Sequence, residues 1–172
     1  MADTSTTQRI LLCVTGLSPQ VVTESLYALA VHDEWVADEV KLITTKAGAE
    51  RARLSLLSKD PGWMARLQAD YGLPPVHFDE QDILTIPDAD SLPLEDIRSP
   101  EDNERAADFI LETVRELTSD AHTELHVSIA GGRKTMGFYL GYALSPYGRS
   151  QDRLSHVIPA EAIRYAPIEA PD

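Results

Sequence analysis

Apolar and polar positions follow two different periods along this chain. Residues 9–15 are almost continuously apolar, are too few for a helix and are followed by Gly16, which predicts a strand buried on both faces at the centre of a sheet. After Pro19, apolar residues recur at helical spacing, and proline is tolerated in a first helical turn. Residues 39–45 and 47–57 repeat this order of strand and helix. The first third of the chain therefore predicts two strand–helix units.

The rest of the chain continues the alternation of short apolar runs and helical patterns. The predicted elements are, in chain order, a helix at 61–71 closed by Gly72, short strands at 76–79 and 83–86, an exposed acidic loop at 87–102, a helix from Asp102 or Asn103 to about Leu117, a strand at 124–130, an apolar helix at 135–145 and late strands at 154–158 and 163–165. Alternating strands and helices favour a mainly parallel sheet with helices on both faces, the Rossmann-like α/β class. We expect a single domain at 9–168, with a flexible N-terminus at 1–8 and a C-terminal tail at 169–172.

Composition narrows the range of partners. The 172 residues include 28 acidic and 15 basic ones, a formal charge of −13, which disfavours duplex nucleic acid because like charges repel. A small anion is still compatible, since a concave site of backbone amides and one or two cations focuses positive potential locally. Cys13 is the only cysteine, and the sequence has neither a targeting signal nor an apolar run of roughly 20 residues. We therefore expect a cytoplasmic protein without a membrane span.

Two glycine-containing turns carry the candidate chemistry. The first, Thr15 to Pro19, follows the first predicted strand, and the second, Gly131 to Thr135, follows the strand at 124–130. In an open parallel sheet, ligands bind at the carboxyl ends of the strands, where turns from the two sides of the switch point meet. Glycine lets the backbone approach a phosphate closely, and the helix that follows offers unpaired amides and the positive end of its dipole. Together the turns predict a site for a phosphate-bearing nucleotide.

The two turns differ in how strongly they indicate function. For the first turn, a purely structural role stays equally open, because any α/β sheet needs glycines at strand ends. The second turn places Arg133 and Lys134 at a helix N-terminus, where positive charge opposes the macrodipole unless an anion compensates it. A local rule broken in this way indicates function. The later turn is therefore the predicted centre of the site.

Common nucleotide and metal motifs do not fit this sequence. A P-loop needs glycine directly before the lysine and another glycine five residues earlier, but Arg133 and Ser128 occupy those positions. The first turn lacks the three spaced glycines of the dinucleotide motif. His32, His77 and His122 lack metal-like spacing with carboxylates. We therefore expect no metal site and no cofactor.

Four segments together resemble the CRISPR-associated Rossmann-fold (CARF) family, in particular its small ring-nuclease branch. They are the strand from Ile10 to Val14, the turn Thr15-Gly-Leu-Ser-Pro-Gln20, the segment Ser128-Ile-Ala-Gly-Gly-Arg-Lys-Thr-Met136 and the closing segment from Arg149 to Val157. The resemblance covers residues 10–157, and the late glycine turn with its lysine is the specific part. It implies a homodimer that binds a cyclic oligoadenylate, usually the four-membered ring, across its two-fold axis. It also implies a ring nuclease that cleaves this messenger and so switches off type III CRISPR antiviral signalling.

The resemblance further implies roles for individual residues. The ribose 2′-hydroxyl attacks the adjacent phosphate without a metal and gives linear di-adenylate with a 2′,3′-cyclic phosphate, while Lys134 stabilises charge and Ser18 positions the ribose or the phosphate. The expected ligand-binding residues are Thr15, Gly16, Leu17, Pro19, Gln20, Ser128, Gly131, Gly132, Arg133, Thr135, Asn103 and Arg105. The last two belong to residues 98–105, which either cover the ligand or form a solvated loop. The alternative function is a non-catalytic CARF module that binds the ring and regulates a separate effector. A chain of this length has no room for a second effector domain, which favours the stand-alone enzyme.

Overall fold

Five parallel strands form one sheet in the computed structural model, which describes residues 7–60 and 62–157. The strands are β1 (Gln8–Val14), β2 (Glu39–Thr44), β3 (Ile83–Thr85), β4 (Thr123–Ser128) and β5 (Arg153–Ser155). Their order in the sheet is β3-β2-β1-β4-β5, so β1 is the central strand, as its apolar run predicts. This is the strand order of a Rossmann-like sheet, with the switch point between β1 and β4.

Helices cover both faces of this sheet. They are α1 (Gln20–His32), α2 (Lys46–Ala52), which continues as a π-helical turn at Arg53–Leu57, α3 (Trp63–Tyr71), α4 (Pro100–Leu117) and α5 (Lys134–Tyr147). Among the described residues, no helix combines the length and the hydrophobicity that a membrane span requires. The predicted α/β class with a mainly parallel sheet is confirmed.

The side chains of β1 divide between two separate cores. Ile10, Leu12 and Val14 pack on the face covered by α4 and α5, and Leu11 and Cys13 pack on the face covered by α1, α2 and α3. None of the five is more than 3% exposed. Burial of an aliphatic side chain of this size stabilises a fold by roughly 1.5–3 kcal/mol. The turn after β1 is therefore anchored to a strand that both cores hold in place.

The helix predicted to begin at Asp102 or Asn103 begins earlier, at Pro100. Ser99 is its N-cap: its side chain accepts a hydrogen bond from the Asp102 N–H, and the Asp102 carboxylate accepts one from the Ser99 N–H. Pro100 occupies the first turn, where its missing N–H costs nothing. The spacing of Ser99 and Asp102 was a readable capping signal. Residues 100–105 are therefore helix rather than loop.

The segment predicted as a strand at 76–79 makes only an isolated bridge. His77 pairs with Glu39, and Glu80–Asp82 then form a single 3₁₀ turn that leads into β3. This turn brings the His77 Nε2 atom within 3.6 Å of Asp79 Oδ2 and within 3.4 Å of Asp82 Oδ2. The expectation that His77 lacks metal-like spacing with carboxylates is therefore wrong, because ligand atoms of His77, Asp79 and Asp82 all lie within 4.8 Å of one another.

The loop at 87–99 is packed more firmly than its prolines and acidic residues predict. Leu94 and Ile97 are buried in the core beneath α4 and α5. The Lys46 N–H donates to the Leu94 carbonyl oxygen at 2.8 Å, and the Leu94 N–H donates to the Ile86 carbonyl oxygen at 2.8 Å. This anchoring fixes the loop across the carboxyl ends of the strands. The predicted strand at 163–165 lies outside the described residues.

Candidate functional site

A cavity of about 450 Å³ lies at the carboxyl ends of the central strands. It is bounded by the turn after β1, the turn after β2, the loop before α4 and the turn into α5. Its lining residues are Thr15, Gly16, Leu17, Ser18, Thr45, Ala47, Glu95, Asp96, Arg98, Gly132, Arg133 and Met136. Open α/β sheets bind their ligands at this position. The two glycine turns thus face one crevice.

The first turn is held by its backbone and leaves two hydroxyl groups unused. The Thr15 N–H donates to the Ile43 carbonyl oxygen at 3.0 Å, and the Thr15 carbonyl oxygen accepts from Thr44 Oγ1 at 2.8 Å. Thr15 Oγ1 is buried and has no hydrogen-bond partner in the described part of the chain. Ser18 is exposed, and its hydroxyl makes no hydrogen bond to any described residue. Two residues that line the cavity therefore have unused hydrogen-bonding capacity.

The structure explains the need for glycine differently at different positions of the two turns. A Cβ on Gly131 would lie 2.5 Å from the Val14 carbonyl oxygen and 2.7 Å from Val21 Cγ1, so the packing of this turn requires glycine. Gly132 has a φ of 76°, a left-handed conformation that favours glycine. A Cβ on Gly16 would meet nothing within 4 Å, and its φ lies outside the left-handed region. No steric reason for glycine is therefore present at Gly16, which favours a functional reason there.

The positive charge at the start of α5 has a partner within the chain. Arg133 is the N-cap of α5, and its Nη2 donates to both carboxylate oxygens of Asp96, each at 2.9 Å. The hydrogen bond from Arg133 is the main reason why the pKa of Asp96 lies below its usual value, so this carboxyl group is ionised at neutral pH. The expectation that Arg133 is uncompensated without a bound anion is therefore wrong. Lys134 differs, because no described acidic residue pairs with it.

The loop before α4 brings both acidic and basic side chains to the cavity. Glu95 accepts from the Nζ of Lys46, at the start of α2, at 3.0 Å. Asp96 Oδ2 also lies 3.7 Å from Arg98 Nε. The lining thus carries two carboxylates and two guanidinium groups, and Lys46 adds a further positive charge beside it. The crevice is locally far less negative than the whole chain.

Several of the expected ligand residues begin helices beside the crevice rather than lining it. Lys134 and Thr135 form the exposed start of α5. Pro19 is the buried N-cap of α1, and Gln20 is the exposed first residue of that helix. Gly131 packs against β1 and α1. These residues stay predictions, and none of them belongs to the cavity lining.

Three further expected residues lie away from the cavity, and two of them have side-chain partners elsewhere. The hydroxyl of Ser128 is buried and lies 2.9 Å from that of Ser25, which fixes α1 on β4. The Asn103 side chain donates to the Tyr139 hydroxyl at 2.9 Å and thereby joins α4 to α5. Arg105 belongs to the first turns of α4. The cavity lining includes none of the three.

Sequence reasoning missed half of the lining. The missed residues are Thr45, Ala47, Glu95, Asp96, Arg98 and Met136. Thr45 had a readable signal, because it follows a predicted strand and strand carboxyl ends meet at one edge. Its side chain caps α2 by accepting from the Gly48 N–H at 3.3 Å. Glu95 and Asp96 gave only the signal of an acidic loop, whose position depends on tertiary packing.

Comparisons with known proteins identify a matching family and a similar solved structure. The family model described as CRISPR-associated protein NE0113 matches residues 18–168. Among solved structures, Enterococcus italicus Csm6 bound to cyclic hexa-2′-fluoro-hexa-dAMP is similar, with a TM-score of 0.49 and 14% sequence identity. The alignment covers 91% of this chain and 36% of that protein, so the chain spans about a third of its length. The comparison with curated proteins gives no match.

Proposed function

The chain belongs to the family of CRISPR-associated protein NE0113, and on this premise we propose that it binds a cyclic oligoadenylate in the crevice between its two glycine turns. One observation carries the proposal: both turns of the CARF-like sequence pattern line one cavity at the carboxyl ends of parallel strands. The proposed setting is the cytoplasm, where type III CRISPR signalling takes place.

The chemistry of the lining supports a nucleotide with phosphate groups. Arg98 and Arg133 supply guanidinium groups, whose planar donors suit phosphate oxygens. Ser18 and Thr15 add hydroxyl groups without partners in the described chain. Gly16 leaves open space beside the backbone, so a phosphate can approach the amides of this turn.

The size of the cavity supports a homodimer as the complete binding unit. About 450 Å³ lies toward the small end of the range for drug-sized ligands, roughly 300–1,000 Å³, whereas a ring of four nucleotides is larger than such a ligand. A cyclic tetra-adenylate is two-fold symmetric, so two protomers related by a two-fold axis offer each half of the ring the same crevice. We therefore propose cyclic tetra-adenylate as the ligand and an isologous dimer as the receptor.

We further propose that the bound ring is cleaved without a metal. The ribose 2′-oxygen attacks the adjacent phosphorus and forms the P–O2′ bond, the P–O5′ bond breaks, and the 2′-hydroxyl proton ends on the 5′-oxygen. Two such cuts convert the ring into two linear di-adenylates with 2′,3′-cyclic phosphates. In this proposal Ser18 holds the ribose or the phosphate in line, and Lys134 stabilises the charge on the phosphate.

Binding without cleavage is the second candidate function. The observation that favours it is the absence of a histidine from the cavity lining, as far as the described residues go. Lys134 also lies outside this lining, so its approach to a phosphate depends on how the ring extends beyond the cavity. A sensor module that regulates a separate effector needs only the crevice.

An incubation of excess protein with cyclic tetra-adenylate in EDTA, followed by separation of the products, tests these proposals. We expect linear di-adenylate with a 2′,3′-cyclic phosphate; an intact ring with measurable binding selects the sensor, and absent binding rejects both functions. Affinity and single-turnover rate measured together for Ser18→Ala separate binding from chemistry. Lys134→Ala is compared with Lys59→Ala, which removes the same charge at another exposed position.

A further inference from the structure

We propose that Asp96 is a positioning residue, which holds the Arg133 guanidinium, with Arg98 beside it, in the orientation that receives a phosphate group. This inference rests on the proposed function, because it assigns a role toward the same ligand. It concerns a residue that the sequence places in an acidic loop and that the structure places in the cavity lining.

The geometry of the ion pair leaves part of Arg133 free. Both oxygens of Asp96 accept from the same nitrogen, Nη2, at 2.9 Å. The Nε and Nη1 donors of Arg133 make no hydrogen bond to a described residue. A guanidinium group has five N–H donors, and Asp96 uses only those of Nη2. Three N–H donors, the Nε–H on one side of Nη2 and the two of Nη1 on the other, therefore stay available to phosphate oxygens while Asp96 holds Nη2.

Asp96 is itself fixed on both sides. Its Oδ1 accepts from the Ile97 N–H at 2.8 Å, and Ile97 is buried in the core beneath α4 and α5. Leu94, two residues earlier, is buried in the same core. On the other side, the Arg98 N–H is held by the Asp102 carboxylate at 3.0 Å, which ties the loop to the start of α4. Asp96 is thus a rigid point from which a long arginine side chain can be oriented.

The charges around Asp96 favour phosphate as the ligand. Asp96 Oδ2 lies 2.9 Å from the Nη2 of Arg133 and 3.7 Å from the Nε of Arg98. One carboxylate beside two guanidinium groups leaves one net positive charge. The neighbouring carboxylate, Glu95, pairs with Lys46 instead and adds no net charge. Holding an arginine in place before the ligand arrives reduces the entropy lost on binding.

The same contact has an opposite interpretation, in which Asp96 competes with the phosphate for Arg133. The two differ in the sign of one effect. If Asp96 positions Arg133, its replacement weakens ring binding, whereas a competitor's replacement strengthens it.

The experiment is a double-mutant cycle of Asp96→Asn and Arg133→Ala, with the affinity for cyclic tetra-adenylate as the readout. We expect Asp96→Asn to weaken binding about tenfold in the parent protein. In the Arg133→Ala background we expect its effect to vanish or reverse, because the carboxylate then only repels the phosphate. Unchanged or tighter binding by Asp96→Asn overturns the proposal, as does an equal loss in both backgrounds.

Controls separate this role from stability and from the proposed function. Asp90→Asn removes the same charge from an exposed position of the same loop and should leave the affinity unchanged. Asp96→Glu keeps the carboxylate and should recover most of the affinity, and thermal unfolding of each variant monitors the fold. The ligand-free protein gives an independent readout: the Arg133 Nε–H signal in a ¹⁵N spectrum should be sharp in the parent and broadened in Asp96→Asn. An equal signal in both proteins overturns the positioning role, whereas failure of the parent to bind any ring rejects the proposed function alone.

Discussion

Substitution of Gly16 by alanine should weaken ligand binding without destabilising the fold. The new Cβ would meet nothing within 4 Å, so the folded protein accepts it. Because alanine makes the unfolded chain less flexible than glycine does, we expect the free energy of unfolding to rise by roughly 0.4–1 kcal/mol. In the complex, this methyl group would occupy the space through which a phosphate reaches the backbone amides. Loss of one hydrogen bond to a charged group costs about 1.5–3 kcal/mol, so we expect the Kd for cyclic tetra-adenylate to rise about ten- to hundredfold.

Gly131→Ala is the matched comparison in the other turn. Its Cβ would lie 2.5 Å from the Val14 carbonyl oxygen, so we expect a loss of roughly 1–3 kcal/mol in the free energy of unfolding. The assay is ligand titration by calorimetry together with chemical denaturation of both variants. A Gly16→Ala protein with parent affinity refutes the close approach of phosphate to this turn. A clearly destabilised Gly16→Ala protein would show that the packing of the fold requires glycine at this position.

Three further predictions concern buried ionisable groups. Burial raises the pKa of Cys13 to about 12, so we expect its alkylation at pH 8 to be at least roughly 100-fold slower in the folded than in the urea-unfolded protein; equal rates would show that the thiol is accessible. Burial lowers the pKa of His126 below its usual value, so the unfolded chain binds more protons than the folded protein. Stability should therefore fall as the pH drops through about 6.5, by at most about 1.4 kcal/mol per pH unit. His126→Gln should flatten this slope, and an unchanged slope would assign it to other groups. Burial by itself raises the pKa of Asp152, but hydrogen bonds from Arg149 and from the Leu125 N–H outweigh this effect, lower the pKa and keep the carboxylate charged. Asp152→Asn should therefore lower the free energy of unfolding in urea by about 2–3 kcal/mol, and a loss below about 0.5 kcal/mol would contradict this role.

The sheet and its helices could be predicted because their signals are local. The apolar run at β1 has no polar position to turn toward water, which identifies a strand covered on both faces, and the two cores confirm it. The prediction of a CRISPR-associated family with a Rossmann-like fold is confirmed by the family match and by the strand order. Errors occurred where short-range hydrogen bonds decide, as at Ser99, whose side chain starts α4 earlier than apolar periodicity indicates.

The site was predictable only where strand ends define it. Gly16 and Ser18 follow β1 directly, so the carboxyl-end rule locates them. Asp96 lines the same cavity because buried Leu94 and Ile97 flank the acidic pair and fold the loop inward, which no local pattern of charge reveals. The contribution of Arg133 changes for the same reason. Its charge looks uncompensated along the sequence and is paired in three dimensions.

The most direct test of the account is a titration of the protein with cyclic tri-, tetra- and hexa-adenylate, with affinity and stoichiometry as the readouts. We expect cyclic tetra-adenylate to bind most tightly, at one ring per two chains, and Gly16→Ala to weaken that binding. Failure of every ring to bind, or tight binding that Gly16→Ala and Asp96→Asn leave unchanged, would contradict a ligand site between the two glycine turns.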